Sequence, residues 1–97
     1  MTELVVTEGF LEDLERITAH LLEHRVEGVE QRLDDIFEAV SILPRHPHIG
    51  RPLDSGHREL VIGRGSRGSV ALYGIDDEAD AIVLLAVRAQ RERGFRR

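Results

Sequence analysis

Residues 7–44 read TEGFLEDLERITAHLLEHRVEGVEQRLDDIFEAVSILP, and the spacing of their apolar side chains decides the fold. Thr7 is a favoured N-cap residue, and Glu8 falls in the first turn, where negative charge meets the positive end of the helix dipole. Phe10, Leu14, Ile17 and Leu21 recur at +4, +7 and +11, one helical stripe with Glu12, Asp13, Glu15 and Arg16 on the wet side. Around Glu27 and Gly28 the pattern resets. Val29, Leu33, Ile36, Val40 and Leu43 then repeat at +4, +7, +11 and +14, widened by Phe37 and Ile42, until Pro44 closes the helix. Two helices with a short connection form an antiparallel hairpin. Each has one apolar stripe, so both are expected to lie on a sheet.

The flanking sequence supplies that sheet. Before the hairpin, Leu4-Val5-Val6 is a short apolar run. After it, PRHPHIGRPLDSGHRE (44–59) reads as a loop, with three Pro and two Gly in sixteen residues. Three strand candidates follow: 58–62 with Leu60, Val61 and Ile62; 69–75 with Val70, Leu72 and Tyr73; and 81–87, AIVLLAV. The last has no polar residue and follows the acidic turn residues Asp76, Asp77, Glu78 and Asp80, which marks a strand buried on both faces. The order β-α-α-β-β-β predicts a two-layer α+β fold, the helical hairpin packed on a mostly antiparallel four-stranded sheet. The 97 residues show no repeat or linker, so 1–97 is read as a single domain.

Composition narrows the chemistry. There is no Cys, which excludes disulfide frameworks, thiolate metal sites and thiol nucleophiles. The longest apolar run is far short of the ~18 residues of a membrane span, and MTELVVTEGFLEDLE has acids where a secretory leader has bases and apolar residues. A cytoplasmic protein is expected. Its formal net charge is −5, but the charge is unevenly placed. Residues 1–43 carry 11 acids and three Arg, while residues 44–97 carry seven acids and ten Arg, and no base in the chain is Lys. A basic half of an acidic protein can still meet an anionic partner if its groups share one face.

Candidate sites are few. Gly63-Arg64-Gly65-Ser66-Arg67-Gly68 matches the letters of a dinucleotide-binding loop, but strand-like residues follow it where that chemistry needs a helix N-terminus. It reads instead as a glycine-rich hairpin presenting two arginines. His20 and His24 stand four apart on the first helix, a spacing that can place two imidazoles on one metal, yet no third ligand is evident and no metal or other cofactor is expected. His46, His48 and His57 read as surface residues, and no spacing suggests a Ser-His-Asp triad or paired catalytic carboxylates. What remains is Arg51, Arg58, Arg64, Arg67, Arg88 and Arg91, planar forks suited to carboxylate or phosphate. Arg51 and Arg58 have a competing structural role, pairing with Asp54 and Glu59 to pin the loop.

Several segments resemble one family in this order and spacing: Phe10…Asp13-Leu14…Ile17; Leu43-Pro44…Pro47-His48-Ile49-Gly50-Arg51-Pro52; Arg58-Glu59-Leu60-Val61-Ile62-Gly63; Val70-Ala71-Leu72-Tyr73; and Leu84 to Phe95. Together they resemble the RelE/ParE superfamily of bacterial type II toxins, and most of all its ParE-like branch. The resemblance implies a toxin made with a cognate antitoxin in a hetero-oligomer. It implies one of two targets: DNA gyrase for ParE-like members, or mRNA cleaved on the ribosome for RelE-like members. Under the first, Arg58, Arg64, Arg67, Arg88 and Arg91 would bind target or antitoxin. Under the second, Arg58, Arg64, Arg67 and Arg88 would surround a scissile phosphate as an endoribonuclease site. Many ParE-like sequences place a histidine after the arginine of the last strand; here that position is Ala89, whose methyl group cannot move a proton. A third possibility is an interaction module that keeps antitoxin binding and has lost toxicity.

Overall fold

The computed structural model describes residues 1–90, 94 and 95. Its elements are β1 (Glu3–Val6), α1 (Glu8–Glu23), α2 (Val29–Ser41), β2 (Arg51–Pro52), β3 (Arg58–Ile62), a 3-10 turn (Gly65–Arg67), β4 (Ser69–Asp76) and β5 (Ala81–Ala89). The strands form one sheet in the order β1-β5-β4-β3-β2, antiparallel throughout except for the parallel pair β1/β5. The α+β layering and the helical hairpin match the expectation from sequence. The strand number does not: there are five strands, not four. The extra one is the two-residue edge strand β2, whose Arg51 and Pro52 pair with Glu59 and Arg58. A proline has no N–H to donate, so it is tolerated at such an edge.

Thr7 caps α1 as expected, its Oγ1 accepting from the Phe10 N–H at 3.3 Å. The same hydroxyl donates to the Leu84 carbonyl at 2.6 Å, so one side chain starts the helix and ties it to β5. Gly28 opens α2 with a φ of 76°, in the left-handed region that glycine enters at least cost. α2 ends at Ser41, ahead of Pro44, because Leu43 and Arg45 turn back in tight bonds to the carbonyls of Val40 and Ile42. Phe10, Leu14, Ile17 and Leu21 of α1 and Ile36 and Val40 of α2 close over Ile62, Ala71, Tyr73, Ile82, Leu84 and Val87 of the sheet.

One residue on α1 departs from the wet-face reading. Asp13 is buried, only 3% exposed. The Val87 N–H donates to its Oδ2 at 3.0 Å, and Arg16 Nη2 lies 3.4 Å from its Oδ1. β1 pairs with β5 only as far as Val6↔Leu84, so the rest of that edge of β5 has no neighbouring strand; the α1 carboxylate takes the open backbone donor instead.

β5 also carries a bulge. Tyr73 pairs with Leu84 but Leu72 with Ala86, which leaves Leu85 as an extra residue. Before it, Ile82 and Leu84 face the helices; after it the alternation is shifted by one, and Val87 faces the helices while Arg88 faces the outer side of the sheet.

The proline-rich loop is pinned to the sheet by Tyr73, which is fully buried. Its hydroxyl donates to the Pro47 carbonyl at 2.6 Å and accepts from the Gly50 N–H at 3.0 Å. Gly50 must be glycine here, since a Cβ would stand 2.6 Å from the tyrosine ring and hydroxyl. Tyr73→Phe should lower the unfolding free energy by about 1–3 kcal/mol in urea titrations, by leaving both loop groups without a partner. Asp13→Ala should cost about 2–3 kcal/mol, and Asp13→Asn, which keeps an acceptor for Val87, roughly half as much.

Candidate functional site

The outer face of the sheet, away from the helices, is where the charged groups meet. β2, β3 and β5 place Arg51, Glu59 and Arg88 on it. Glu59 is bracketed by two bases: Arg51 Nη2 donates to its Oε1 at 2.5 Å, and Arg88 Nη2 lies 3.9 Å from its Oε2. Arg88 is largely covered. Its Nη1 donates to the carbonyls of Ala89 and Gln90, each at 3.2 Å, and its guanidinium sits 5.1 Å from the Phe95 ring centroid. A fork held by a carboxylate, two carbonyls and a ring keeps one orientation.

The other predicted arginines fall in three places. Arg58 begins β3, where Nη1 donates to the carbonyls of His48 (3.2 Å) and Gly50 (2.7 Å), so it braces the same loop that Tyr73 holds. Of the loop-pinning pairs considered from sequence, Arg51–Glu59 forms, whereas Arg58 uses backbone carbonyls. Arg64 and Arg67 lie at the β3–β4 hairpin, on and beside the 3-10 turn, where the Arg67 N–H donates to the Arg64 carbonyl at 3.2 Å; both are exposed, and neither side chain has a hydrogen bond or ion pair with a described residue. Gly68 joins this tip to the end of β5: the Gln90 N–H donates to its carbonyl at 2.9 Å, and a Cβ there would run into the Gln90 side chain. Arg64 and Arg67 therefore stand at the same end of the sheet as Arg88. Arg91 lies outside the described residues.

Ala89 pairs with Ser69, and by strand alternation it faces opposite to Arg88. His57, read from sequence as a surface residue, is exposed and packs against Gly74 on the outer face, where a Cβ would come within 3.2 Å of its ring. Nothing in its local sequence signals that position, which depends on the β3/β4 pairing. His20 and His24 stack with ring centroids 4.2 Å apart, and His24 Nδ1 lies 2.9 Å from the His20 carbonyl, an arrangement that closes the end of α1. Among the described residues, no helix is long and apolar enough to cross a membrane.

A second surface feature lies on the opposite side of the molecule. Leu11, Leu14, Thr18, Ala19 and Leu22 of α1 and Leu33 and Phe37 of α2 line an open apolar groove of about 460 Å³, with Glu15 at its edge. Leu11, Leu22 and Phe37 are 48%, 62% and 49% exposed, so the hairpin's apolar stripes extend beyond what the sheet covers.

Comparison with known proteins agrees with this architecture. No curated protein matches the chain significantly. Among solved structures, the chain is similar to one from a chromosomal ParDE toxin–antitoxin system of P. aeruginosa, with a TM-score of 0.71, 26% identity, and 92% of this chain and 96% of that one covered. It is also similar to one from the RelBE2 toxin–antitoxin complex of Mycobacterium tuberculosis, with a TM-score of 0.57, 26% identity, and coverages of 92% and 98%. The family model of the ParE toxin of type II toxin–antitoxin systems matches residues 4–94, and the chain belongs to that family.

Proposed function

We propose that this toxin arrests bacterial growth by binding a protein target of the DNA gyrase kind, performs no chemistry of its own, and is neutralised in the cytoplasm by a cognate antitoxin. The observation that carries this reading is the division among the arginines. Arg51 and Arg58 are engaged within the fold, whereas Arg64 and Arg67 project from a hairpin tip braced against the end of β5. An exposed pair of guanidinium forks on a braced hairpin, beside the held Arg88, is a surface for an anionic partner.

The same geometry disfavours the endoribonuclease reading. That reading asks Arg58 to hold a phosphate, and its Nη1 is occupied by two loop carbonyls. It is weakened again at Ala89, whose methyl group cannot move a proton, so that cleavage would rest on charge stabilisation by arginines alone. Neutralisation would then be competition: an acidic antitoxin segment and the target both seek the cationic tip.

Expression of the chain without an antitoxin should stop growth and abolish supercoiling by gyrase, with no new mRNA 5′ ends at codon-defined positions. Codon-defined cuts alongside normal supercoiling would replace the binding reading by the nuclease one, and absence of any growth effect would leave only an antitoxin-binding module. Arg64→Glu combined with Arg67→Glu should weaken both target inhibition and antitoxin binding by about tenfold or more, the equivalent of ~1.4 kcal/mol, as read by titration.

A further inference from the structure

α1 ends in a locked turn that carries two histidines. The Arg25 N–H donates to the Leu22 carbonyl at 3.1 Å and the Val26 N–H to the Leu21 carbonyl at 2.9 Å, with Arg25 in the left-handed region at a φ of 52°. These bonds satisfy the last carbonyls of the helix and fix the backbone under His20 and His24. Both imidazoles are exposed, with ring centroids 4.2 Å apart and planes inclined by 38°. His24 Nδ1 lies 2.9 Å from the His20 carbonyl oxygen. A carbonyl only accepts, so Nδ1 carries the hydrogen and Nε2 is the basic nitrogen of the neutral ring. A histidine that binds metal through Nε2 ordinarily gives its Nδ1 hydrogen to such a carbonyl, which sets tautomer and ring orientation together.

We propose that His20 and His24 form a two-histidine clamp for a zinc ion at the C-terminal end of α1. The spacing of four residues alone carries no such expectation; the paired rings and the tautomer set by the carbonyl do. Zinc–imidazole bonds of about 2.0–2.1 Å meeting at a tetrahedral angle need nitrogens about 3.3 Å apart. Rings already in contact reach that spacing by turning about χ2, a broad torsion for histidine. Imidazole selects zinc and its borderline neighbours over magnesium and calcium, which prefer oxygen. The setting also favours a cation. The helix dipole is negative at this end, and the exposed Glu23 and Glu27 lie beside the pair in sequence, against the single base Arg25. Among the described residues no third His, Cys, Asp or Glu joins the two histidines. The ion therefore keeps its remaining positions for water and exchanges more readily than in a closed structural site. Its effect on the fold is to staple the last turn of α1 where the chain turns toward α2. The clamp uses none of the arginines and owes nothing to the identity of the target.

The whole chain is titrated with zinc chloride in a calorimeter, with magnesium chloride as the control. One zinc per chain should bind, raise Tm, and shift the His24 Nε2 signal in side-chain NMR spectra while Nδ1 stays protonated. Magnesium should do none of these. His20→Ala and His24→Ala should each weaken zinc binding at least ~10-fold. His46→Ala combined with His48→Ala, on the proline-rich loop, should bind zinc as the unaltered chain does. All four positions are exposed, and the zinc-free Tm of each variant reports its folding. The NMR shift of the unaltered chain decides the assignment if a variant unfolds. No zinc binding, undiminished binding in either α1 variant, or loss of binding in the loop variant would overturn the clamp. One ion shared by two chains would overturn it as well, since a second copy would then complete the ligand set.

Discussion

Everything in this fold depends on how the long strand β5 is finished where β1 leaves it. β1 stops at Val6, opposite Leu84, yet β5 runs on to Ala89. Backbone groups beyond that point would be buried without partners, a cost of order 1–3 kcal/mol each. α1 answers this with two side chains. The Thr7 hydroxyl donates to the Leu84 carbonyl, and the Asp13 carboxylate accepts from the Val87 N–H. The helix thus takes over where the neighbouring strand ends, and that fixes its placement along β5. With α1 set, the hairpin follows, and with it the groove between the two helices.

The arginines divide along a similar line between holding the fold and facing outward. Arg58 replaces water for two loop carbonyls, and Arg51 and Arg88 share the Glu59 carboxylate. Arg64 and Arg67 are placed by glycines and a 3-10 turn, with their side chains bound to nothing among the described residues. A lysine at either kind of position would be a poorer choice. It lacks the fork that spans two acceptors, and its flexible stem presents a less defined group to a partner.

Much of this was legible in the sequence because helices and half-buried strands have different apolar periods. The stripes at Phe10–Leu21 and Val29–Leu43 and the three C-terminal strands lie in the expected places. β2 was not legible, because two residues, one a proline, have no period; the strand exists only through its pairing with β3. Asp13 was misplaced because a carboxylate beside Glu12 and Glu15 gives no sign that a strand N–H waits above it. The Leu85 bulge was invisible for the opposite reason, since an unbroken apolar run contains no alternation to be interrupted. At the candidate site the arginines are plain in the sequence but their bonds are not: the acceptors of Arg58 are main-chain oxygens, which every residue has.

The bulge at Leu85 also shapes how this chain can vary over generations. A one-residue deletion in a regular stretch of strand sends every later side chain to the opposite face. Leu85 is the exception, because it is the residue that the pairing with β4 leaves over. Without it, Leu84 and Ala86 would become consecutive partners of Tyr73 and Leu72, and Val87 and Arg88 would keep their faces. Loss of a residue anywhere in β5 before Leu84 would instead exchange core methyls for outward groups. Inherited change in the length of β5 is therefore tolerated at the bulge and nowhere else along the strand, while the hairpin tip at Arg64–Gly68, which bears no such parity, is a second place where length can drift.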